Sequence, residues 1–456
     1  MEEHYVDKSR SDYMKLFLFG LDGMPLDILR SYSEKAEFTN FRKLLQYGSA
    51  TSLQSTYPFV TAPAWTSMFT GVNPGKHGIF DLVEEADGRL TIPNMRSVEI
   101  PFLWDYLSWA KRKVLVMGMP FVYPAPPING YFITGRLVPK LSCYPESLTT
   151  KVDLSGFSPE LDDSRLGNLL QGRERMKLEK EEYAELLLAA LKKRKEASIS
   201  LIDNETWDAV IIVESMPDQF FHKFWANKQA LSRMLGMLDG WLGDIIQRLG
   251  PEDKLIVASD HGFTGVKGTF YLKSWLISKG YQPNIKSGKR TNMMTFFNKL
   301  TQRNKKREDW LNEVEGSKIR VRGVAASAWI SIPEQSKHLM DVLLKEFVSL
   351  TQTDMIYDCK KIEDVYSGGQ LKRAPGNLLI IPKEGWSIDC ENTNPNRYYR
   401  LIDYPKGVHT PYGIFVYYTP DNKHIDRELK IYDVMPTILK IFGLPIPDFV
   451  DGVPAF

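Results

Sequence analysis

The strongest constraint on the fold is a short apolar run that recurs along the chain with helical stretches between its copies. Residues 15–22 read Lys-Leu-Phe-Leu-Phe-Gly-Leu-Asp. A continuous apolar run of this length that ends in turn residues is typical of a strand buried on both faces of a parallel sheet. Similar runs lie at 113–117, 207–213, 254–259 and 413–418, and helical patterns lie at about 25–48, 172–203 and 229–249. This alternation predicts an α/β fold with a mostly parallel central sheet and helices on both of its faces.

Two long segments interrupt the alternation and define the predicted domains. Residues 82–170 are rich in Pro, Gly and aromatic residues and hold one clear strand pattern, so we expect an insertion near the active site. Residues 268–400 hold a basic, polar stretch from Lys286 to Arg307, which indicates a solvated loop, and then short strand patterns that predict a second inserted lobe. The catalytic core is then expected to comprise 14–81, 171–267 and 401–456.

The charge balance and the cysteines narrow the functional class. The 456 residues include 58 Lys and Arg against 56 Asp and Glu, a net charge of +2, whereas a binder of nucleic acid or acidic membranes would show a clustered basic excess. Cys143, Cys359 and Cys390 lie far apart, which argues against disulfides and suits a reducing compartment. The first residues are charged, and prolines interrupt the uncharged run 114–135, so we expect no membrane span and a cytoplasmic location.

Acids and histidines that suit a metal ion fall mostly at the carboxyl ends of predicted strands, where open α/β sheets carry their chemistry. Neutral imidazole together with carboxylate is the preferred ligand set of zinc and similar cations. An Asp after a strand is more often a cap or turn residue, and a single His is usually structural, so the prediction of a metal site depends on the combination. The candidates are Asp22 after the first strand, Asp218 and His222 after the strand at 207–213, Asp260 and His261 after the strand at 254–259, and His409 just before the last strand.

Thr61 is the candidate nucleophile. It precedes Ala62-Pro63, where a helix can begin, and a hydroxyl at a helix N-terminus faces free N–H groups and the positive end of the helix dipole. From the residues alone, the alternative role of N-cap stays open and is the more common one. The nearby segment Gly71–His77 looks like a phosphate-binding loop, but its spacing is one residue short and His77 replaces the Ser or Thr that holds magnesium, which argues against an ATPase.

Taken in order, these pieces resemble the alkaline phosphatase superfamily and, within it, the type I phosphodiesterase/nucleotide pyrophosphatase family. The resemblance extends from residue 16 to about residue 454. The matching pieces are Gly20-Leu21-Asp22-Gly23, Thr61-Ala62-Pro63, Thr70-Gly71-Val72-Asn73-Pro74, His77-Gly78-Ile79, Pro217-Asp218 with His222, Ser259-Asp260-His261-Gly262, Gly407-Val408-His409, Asp433 to Leu439, and Asp451-Gly452.

The resemblance implies an alkaline-phosphatase-like hydrolase with two divalent metal ions. Zinc suits the mixed ligands, with manganese as the alternative. Thr61 would attack the phosphorus of a phosphodiester or nucleotide pyrophosphate and form a phospho-threonine intermediate, which water then releases. The implied ligands are Asp218, His222 and His409 for one ion, and Asp22, Asp260, His261 and the Thr61 oxygen for the other.

Two positions depart from the family pattern. Nucleotide pyrophosphatases support the phosphoryl oxygens with an Asn amide a few residues after the His-Gly-Ile element, whereas Leu82 stands in that place here. The side chain of Leu82 cannot donate a hydrogen bond. The candidate donors are therefore the backbone N–H groups near Thr61, the side chain of Lys76 and the side chain of Arg136. The chain also has Ala374-Pro375-Gly376 where later family members have Ala-Pro-Asp.

Other functions that use the same site stay open. A phosphomonoesterase or phosphonate hydrolase would need a cationic clamp, whereas a diester needs an apolar slot; Phe59, Trp65 and Phe80 near Thr61 favour the diester unless they belong to the core. A sulfatase is disfavoured because no cysteine stands in a Cys-x-Pro-x-Arg pattern, and a phosphoglycerate mutase would be expected to use a serine. An inactive binding scaffold is disfavoured because every ligand position is filled. We expect a small phosphoester substrate and neither nucleic acid polymer nor membrane as a partner; the sequence makes no prediction of the oligomeric state.

Overall fold

A nine-stranded sheet forms the centre of the protein, in a computed structural model that describes residues 15–86, 89–170, 174, 176, 178–282, 319–324, 327–403, 406–419 and 424–456. The five strands from Lys254–Ala258 to Gly130–Thr134 run parallel to one another, and Tyr412–Tyr418 runs antiparallel to both of its neighbours. The mostly parallel sheet predicted from the sequence is therefore confirmed. The spatial order of the strands is Leu429–Lys430, Gly48–Gln54, Tyr412–Tyr418, Lys254–Ala258, Leu16–Leu21, Ala209–Glu214, Val114–Met119, Gly130–Thr134 and Cys143–Tyr144.

Helices cover both faces of this sheet, as the continuous apolar strands require. Alternate side chains of Leu16–Leu21 enter two separate hydrophobic clusters: Phe17 and Phe19 pack on one face, and Leu16 and Leu18 on the other. The first cluster is closed by the helices Leu26–Ser33, Thr39–Tyr47, Lys180–Asn204, Met216–Phe224 and Lys228–Ile246. The second is closed by the helices Thr61–Thr70, Leu103–Trp109 and Val434–Ile441.

The predicted helix at about 25–48 is two helices in the structure, with a break between Ser33 and Thr39. Tyr32 and Phe38 are six residues apart, so a continuous helix would point them about 120° apart. The break lets both rings enter the same cluster, where their centroids lie 5.0 Å apart.

The segment 82–170 differs from the predicted insertion because it supplies three strands of the central sheet, Val114–Met119, Gly130–Thr134 and Cys143–Tyr144. Two of these strands are short and flanked by Gly, Pro and Ser, so their sequence resembles that of loops. The rest of the segment holds the hairpin Glu84–Ala86 with Arg89–Thr91, the 3₁₀ turns Met95–Ser97, Ser155–Phe157 and Pro159–Leu161, and the helices Leu103–Trp109, Leu148–Lys151 and Arg165–Leu170.

The segment 268–400, which the sequence predicts to be a second lobe, has a hydrophobic cluster of its own. A four-stranded antiparallel sheet carries it, in the order Arg320–Val324, Ser327–Ser331, Leu378–Pro382 and Ile356–Lys361. The basic stretch from Lys286 to Arg307 lies outside the described residues. The other elements are the helices Leu272–Ser278, His338–Thr351 and Ile362–Val365, the 3₁₀ turns Glu334–Ser336 and Leu371–Arg373, and the three-stranded sheet of Trp386–Asp389, Gly268–Tyr271 and Tyr399–Leu401.

None of the helices within the described residues has the length and apolar character that a bilayer crossing requires.

The segment Gly71–His77, whose sequence looked like a phosphate-binding loop, is held by hydrogen bonds and an ion pair to Asp451. The Asn73 backbone N–H and side-chain Nδ2 donate to Asp451 Oδ2 at 2.8 and 2.7 Å, and Lys76 Nζ lies 2.5 Å from Asp451 Oδ1. The carbonyl of Gly71, which ends the helix Thr61–Thr70 in the left-handed conformation (φ 71°), accepts from the Asp451 and Gly452 N–H groups. These contacts hold the end of the helix that begins at Thr61, so the segment has a structural role.

His77 is buried in its neutral form in the same segment. The Ile79 N–H donates to His77 Nδ1 at 3.1 Å, which places the ring proton on Nε2, 2.9 Å from Ser67 Oγ. Burial, with the nearby charge of Arg373, lowers the pKa of His77 to about 3.

We predict that His77 makes the stability of the protein depend on pH. Its folded-state pKa of about 3 lies below the ordinary value of 6.5. Between pH 6.5 and about 3, the unfolded chain therefore binds up to one more proton than the folded chain. The free energy of unfolding falls by up to about 1.4 kcal/mol per pH unit as the pH drops through this range. Denaturant unfolding at several pH values between 7 and 4 should show a smaller slope for His77→Gln. The same replacement at the exposed His338 should leave the slope unchanged, and equal slopes for His77→Gln and the original chain would contradict the prediction.

Candidate metal centre

Six of the residues predicted as ligands meet beyond the carboxyl ends of three neighbouring parallel strands. The strands are Leu16–Leu21, Ala209–Glu214 and Lys254–Ala258, and their pairing brings the residues that follow them to one edge of the sheet. Asp22 and Asp260 follow two of them closely, with His261 beside Asp260. Asp218 and His222 are one turn apart on the helix Met216–Phe224, and His409 lies on the strand Gly407–Thr410, which pairs with Gly262–Gly265.

Asp218, His222 and His409 form the first group of this centre. Asp218 Oδ1 lies 3.3 Å from His222 Nε2 and 3.2 Å from His409 Nε2, and the two nitrogens are 2.9 Å apart. Ligands of one tetrahedral zinc ion lie about 3.4 Å from one another. His409 Nδ1 donates to the Phe59 carbonyl at 3.1 Å, which leaves the Nε2 lone pair directed at the group. The spacing and the tautomer of His409 both suit a cation.

Asp22, Asp260 and His261 form the second group, and all three side chains are fully buried. His261 Nε2 lies 3.5 Å from Asp22 Oδ1 and 3.4 Å from Asp260 Oδ2. Among the described residues, both oxygens of Asp22, Oδ2 of Asp260 and Nε2 of His261 have no hydrogen-bond partner, whereas Asp260 Oδ1 accepts from the Gly23 N–H. Buried carboxylate oxygens without partners are very costly, so these four convergent atoms fit a bound cation.

The two groups are contiguous. The ligand atoms of Asp218, His261 and His409 lie within 4.8 Å of one another, as do those of the second group. The His261 and His409 rings are stacked with their centroids 3.8 Å apart. His261 therefore lies between the two groups, within reach of the ligand atoms of both.

The acids of the two groups differ in their electrostatics. Burial, and then the charges of Asp260 and Asp218, raise the pKa of Asp22 well above its usual range, and burial does the same for the pKa of Asp260. Burial also acts to raise the pKa of Asp218, but the charge of His222, a hydrogen bond from it and the charge of Arg136 hold that pKa well below its usual range. Two buried carboxylates this close cannot both ionise unless positive charge lies between them. The second group therefore has the greater need for a cation.

Thr61 is the first residue of the helix Thr61–Thr70, and Val60 occupies the N-cap position without a side-chain cap. The alternative role of Thr61 as N-cap is therefore wrong. Thr66 and Thr70 of the same helix donate to the carbonyls four residues earlier, whereas the Thr61 hydroxyl makes no hydrogen bond to the described part of the chain. The hydrogen bond from His409 to the Phe59 carbonyl brings this end of the helix to the first group.

Lys76 and Arg136 have other partners than the predicted substrate. Lys76 Nζ binds Asp451 and the Phe449 carbonyl. Arg136 is 8% exposed and donates from Nη1 to Asp218 Oδ2 at 2.9 Å. Among the described residues, both side chains bind protein groups. Arg136 lies beside the first group, where it contacts Asp218.

The aromatic side chains near Thr61 belong to the core. Phe59, Trp65 and Phe80 are at most 3% exposed, and Phe59 and Phe80 pack in a cluster with Trp329 and Tyr366 of the second lobe. They supply no slot for a second ester group, so the argument for a diester from these residues is wrong. Leu82 is half-buried and packs against the same cluster.

Sequence analysis missed Phe263, which contacts all three histidines of the centre. The ring centroid of this buried residue lies 4.8 Å from that of His222, 4.7 Å from that of His409 and 5.7 Å from that of His261. Gly23, at φ 76°, has no room for a Cβ because Phe263 fills that space. The only signal in the sequence was the position of Phe263 two residues after His261, which does not distinguish it from other core residues.

Comparisons with known proteins identify the family of the chain. The family model described as type I phosphodiesterase/nucleotide pyrophosphatase matches residues 16–410, a range that contains every proposed ligand. A search of curated proteins finds no match to the chain.

Several solved structures share the fold at low sequence identity. Phosphonoacetate hydrolase from Sinorhizobium meliloti 1021, in complex with phosphonoformate, is 14% identical with a TM-score of 0.56, and the match covers 92% of this chain and 94% of that one. Human ectonucleotide pyrophosphatase/phosphodiesterase 5 is 15% identical with a TM-score of 0.57, and the match covers 95% of this chain and 96% of that one. The murine counterpart in complex with AMP is 14% identical with the same TM-score and coverage. Because the family model matches most of the chain, the chain is a hydrolase that belongs to the type I phosphodiesterase/nucleotide pyrophosphatase family.

Proposed function

We propose that the protein hydrolyses phosphodiester or nucleotide pyrophosphate bonds at a two-metal site through a phospho-threonine intermediate at Thr61. The observation that carries this proposal is the set of four buried ligand atoms of Asp22, Asp260 and His261 that converge without hydrogen-bond partners beside a second ligand group. Membership of the family supports the reaction class.

The ligand assignment follows the two groups. Two divalent cations, when bound, supply positive charge that stabilises the attacking and leaving oxygens of an in-line displacement. Zinc suits the two imidazoles and one carboxylate of the first group, and manganese is the alternative because the second group is richer in oxygen. The proposed ligands are Asp218, His222 and His409 for one ion, and Asp22, Asp260, His261 and the Thr61 oxygen for the other.

The remaining chemistry belongs to the chain itself. The Thr61 hydroxyl stands at the N-terminus of a helix of 10 residues, where the first N–H groups have no partner within the helix and the dipole is positive. Both features stabilise the negative charge that develops on the phosphoryl oxygens, and they stand in for the donor that Leu82 lacks. The hydrogen bond from His409 Nδ1 to the Phe59 carbonyl holds the ring and the start of this helix together.

Phosphonate hydrolysis is the second candidate. Phosphonoacetate hydrolase has the same fold, and the buried Phe59, Trp65 and Phe80 no longer favour a diester over a smaller substrate. A phosphomonoester at the same site would be the related possibility. The substrate in each case is a small phosphorus compound.

We also propose a cytoplasmic location, which the free Cys143, Cys359 and Cys390 support.

A substrate panel tests the proposed function. One batch of metal-loaded protein is assayed with bis-(p-nitrophenyl) phosphate, p-nitrophenyl phosphate, a nucleotide pyrophosphate and phosphonoacetate. We expect the highest kcat/KM for the diester or the pyrophosphate. A preference for phosphonoacetate would support the second candidate, and no turnover of any of the four would contradict both.

We predict that Thr61→Ala lowers turnover of an aryl phosphodiester by roughly 10³-fold or more, because it removes the attacking oxygen. Metal content should remain close to that of the original protein. Thr61→Ser keeps a hydroxyl and should retain measurable turnover. Thr70→Ala, in the same helix, removes only a hydrogen bond to the Thr66 carbonyl and serves as the matched control. Full activity of Thr61→Ala would remove Thr61 from its proposed role.

We also predict that Asp260→Ala and His409→Ala lose bound metal together with activity, since each leaves one cation short of a ligand. Metal per chain is measured by atomic emission after dialysis against a weak chelator, with His338→Ala as a control at an exposed position. The original protein should hold two equivalents and each variant fewer. Two equivalents in both variants would refute the ligand assignment.

A further inference from the structure

We propose that Arg136, held in place by Asp162, is a positioning residue that fixes the Asp218 carboxylate so that only Oδ1 faces the two histidines of the first group. This inference depends on the proposed function, because it assigns Asp218 to a metal ion. It concerns the orientation of a ligand and gives Arg136 no contact with the substrate.

The two oxygens of Asp218 have separate partners. Arg136 Nη1 donates to Oδ2 at 2.9 Å, whereas Oδ1 lies 3.2 Å from His409 Nε2 and 3.3 Å from His222 Nε2. Rotation of the carboxylate would therefore break a charge-assisted hydrogen bond in a buried place, where such bonds are strong. Arg136 thereby selects coordination through one oxygen.

The guanidinium is itself held from a second side. Asp162, which is 2% exposed, lies 3.4 Å from Arg136 Nη2 and 3.5 Å from Nε. Asp162 Oδ1 also accepts from the Ser164 N–H at 2.9 Å, which orients that carboxylate. The planar fork of Arg can bridge two carboxylates in this way, and the single ammonium of Lys cannot reproduce both directions.

The backbone that carries Arg136 is fixed as well. The Gly135 N–H donates to the Met119 carbonyl at 2.8 Å, and the Arg136 carbonyl accepts from the Phe121 N–H at 3.2 Å. A Cβ at Gly135 would overlap the carbonyl oxygen of Gly118, so the two chains approach as closely as glycine allows. These contacts lie at the ends of two central strands, which makes the support of Asp218 rigid.

Charge and geometry make opposite contributions to metal binding here. A positive guanidinium beside a cation repels it, whereas an oriented carboxylate binds it more tightly. Arg136→Lys separates the two effects because it keeps the charge and loses the fork. If orientation dominates, this variant binds one cation more weakly even though its net charge is unchanged.

The test is a titration of the metal-free protein with Co²⁺, followed by its visible absorption bands and repeated against a competing chelator. We expect two tight equivalents in the original protein. In Arg136→Lys, one equivalent should bind as before and the other about 10- to 100-fold more weakly, with altered bands. Asp162→Asn should weaken the same equivalent and carries the test if Arg136→Lys fails to fold. Excess Co²⁺ should restore turnover of Arg136→Lys, since the reacting groups are unchanged.

Arg248→Lys is the matched control, because Arg248 makes two hydrogen bonds of 2.7 Å to the exposed Asp203 away from the centre. It should leave both equivalents unchanged. If the original protein binds no Co²⁺, the proposed function fails. If it binds two and Arg136→Lys binds both as tightly, only the role of Arg136 fails. Equal weakening of both equivalents, with a lower melting temperature of the metal-free variant, would show a merely structural role and would also overturn the inference.

Discussion

The need to balance the negative charge of buried carboxylates governs the edge of the sheet where the candidate ligands meet. Three neighbouring parallel strands end together, and their pairing brings Asp22 and Asp260 into a buried space where most of their oxygens have no hydrogen-bond donor among the described residues. Such a pair is unfavourable unless a cation lies against it. The sheet therefore does more than carry the residues, because its register forces the acids into a place that only positive charge makes stable.

Groups outside the two sets of candidate ligands determine how those side chains are oriented. The Phe59 carbonyl orients His409, the Gly262 carbonyl orients His261, and Arg136 orients Asp218. Phe263 packs against all three imidazoles. Because the orienting groups come from different segments of the chain, the centre forms only when the whole sheet has assembled.

The sequence predicted which acids and histidines come together because their signal is local. An Asp or His that closely follows an apolar run lies at the carboxyl end of a strand, where open α/β sheets carry their chemistry. This is why Asp22 and Asp260 could be identified. The role of Arg136 could not be predicted, because its partner Asp218 is 82 residues away and no local pattern links them. Phe59 and Phe80 were misjudged for a related reason: an apolar side chain beside a nucleophile has the same sequence signal in a pocket and in a core. The strand Gly130–Thr134 escaped notice because it is short and its neighbours are typical of turns.

The contacts between Asp451 and the segment Gly71–Lys76 join two parts of the chain that are synthesised at different times. The ribosome makes every candidate ligand, up to His409, before it makes Asp451. Until then, Asn73 and Lys76 lack their shared carboxylate and the end of the helix that begins at Thr61 is unsecured. Because Asp451 follows His409 in the chain, the helix that begins at Thr61 gains this support at its far end only after every candidate ligand has been made.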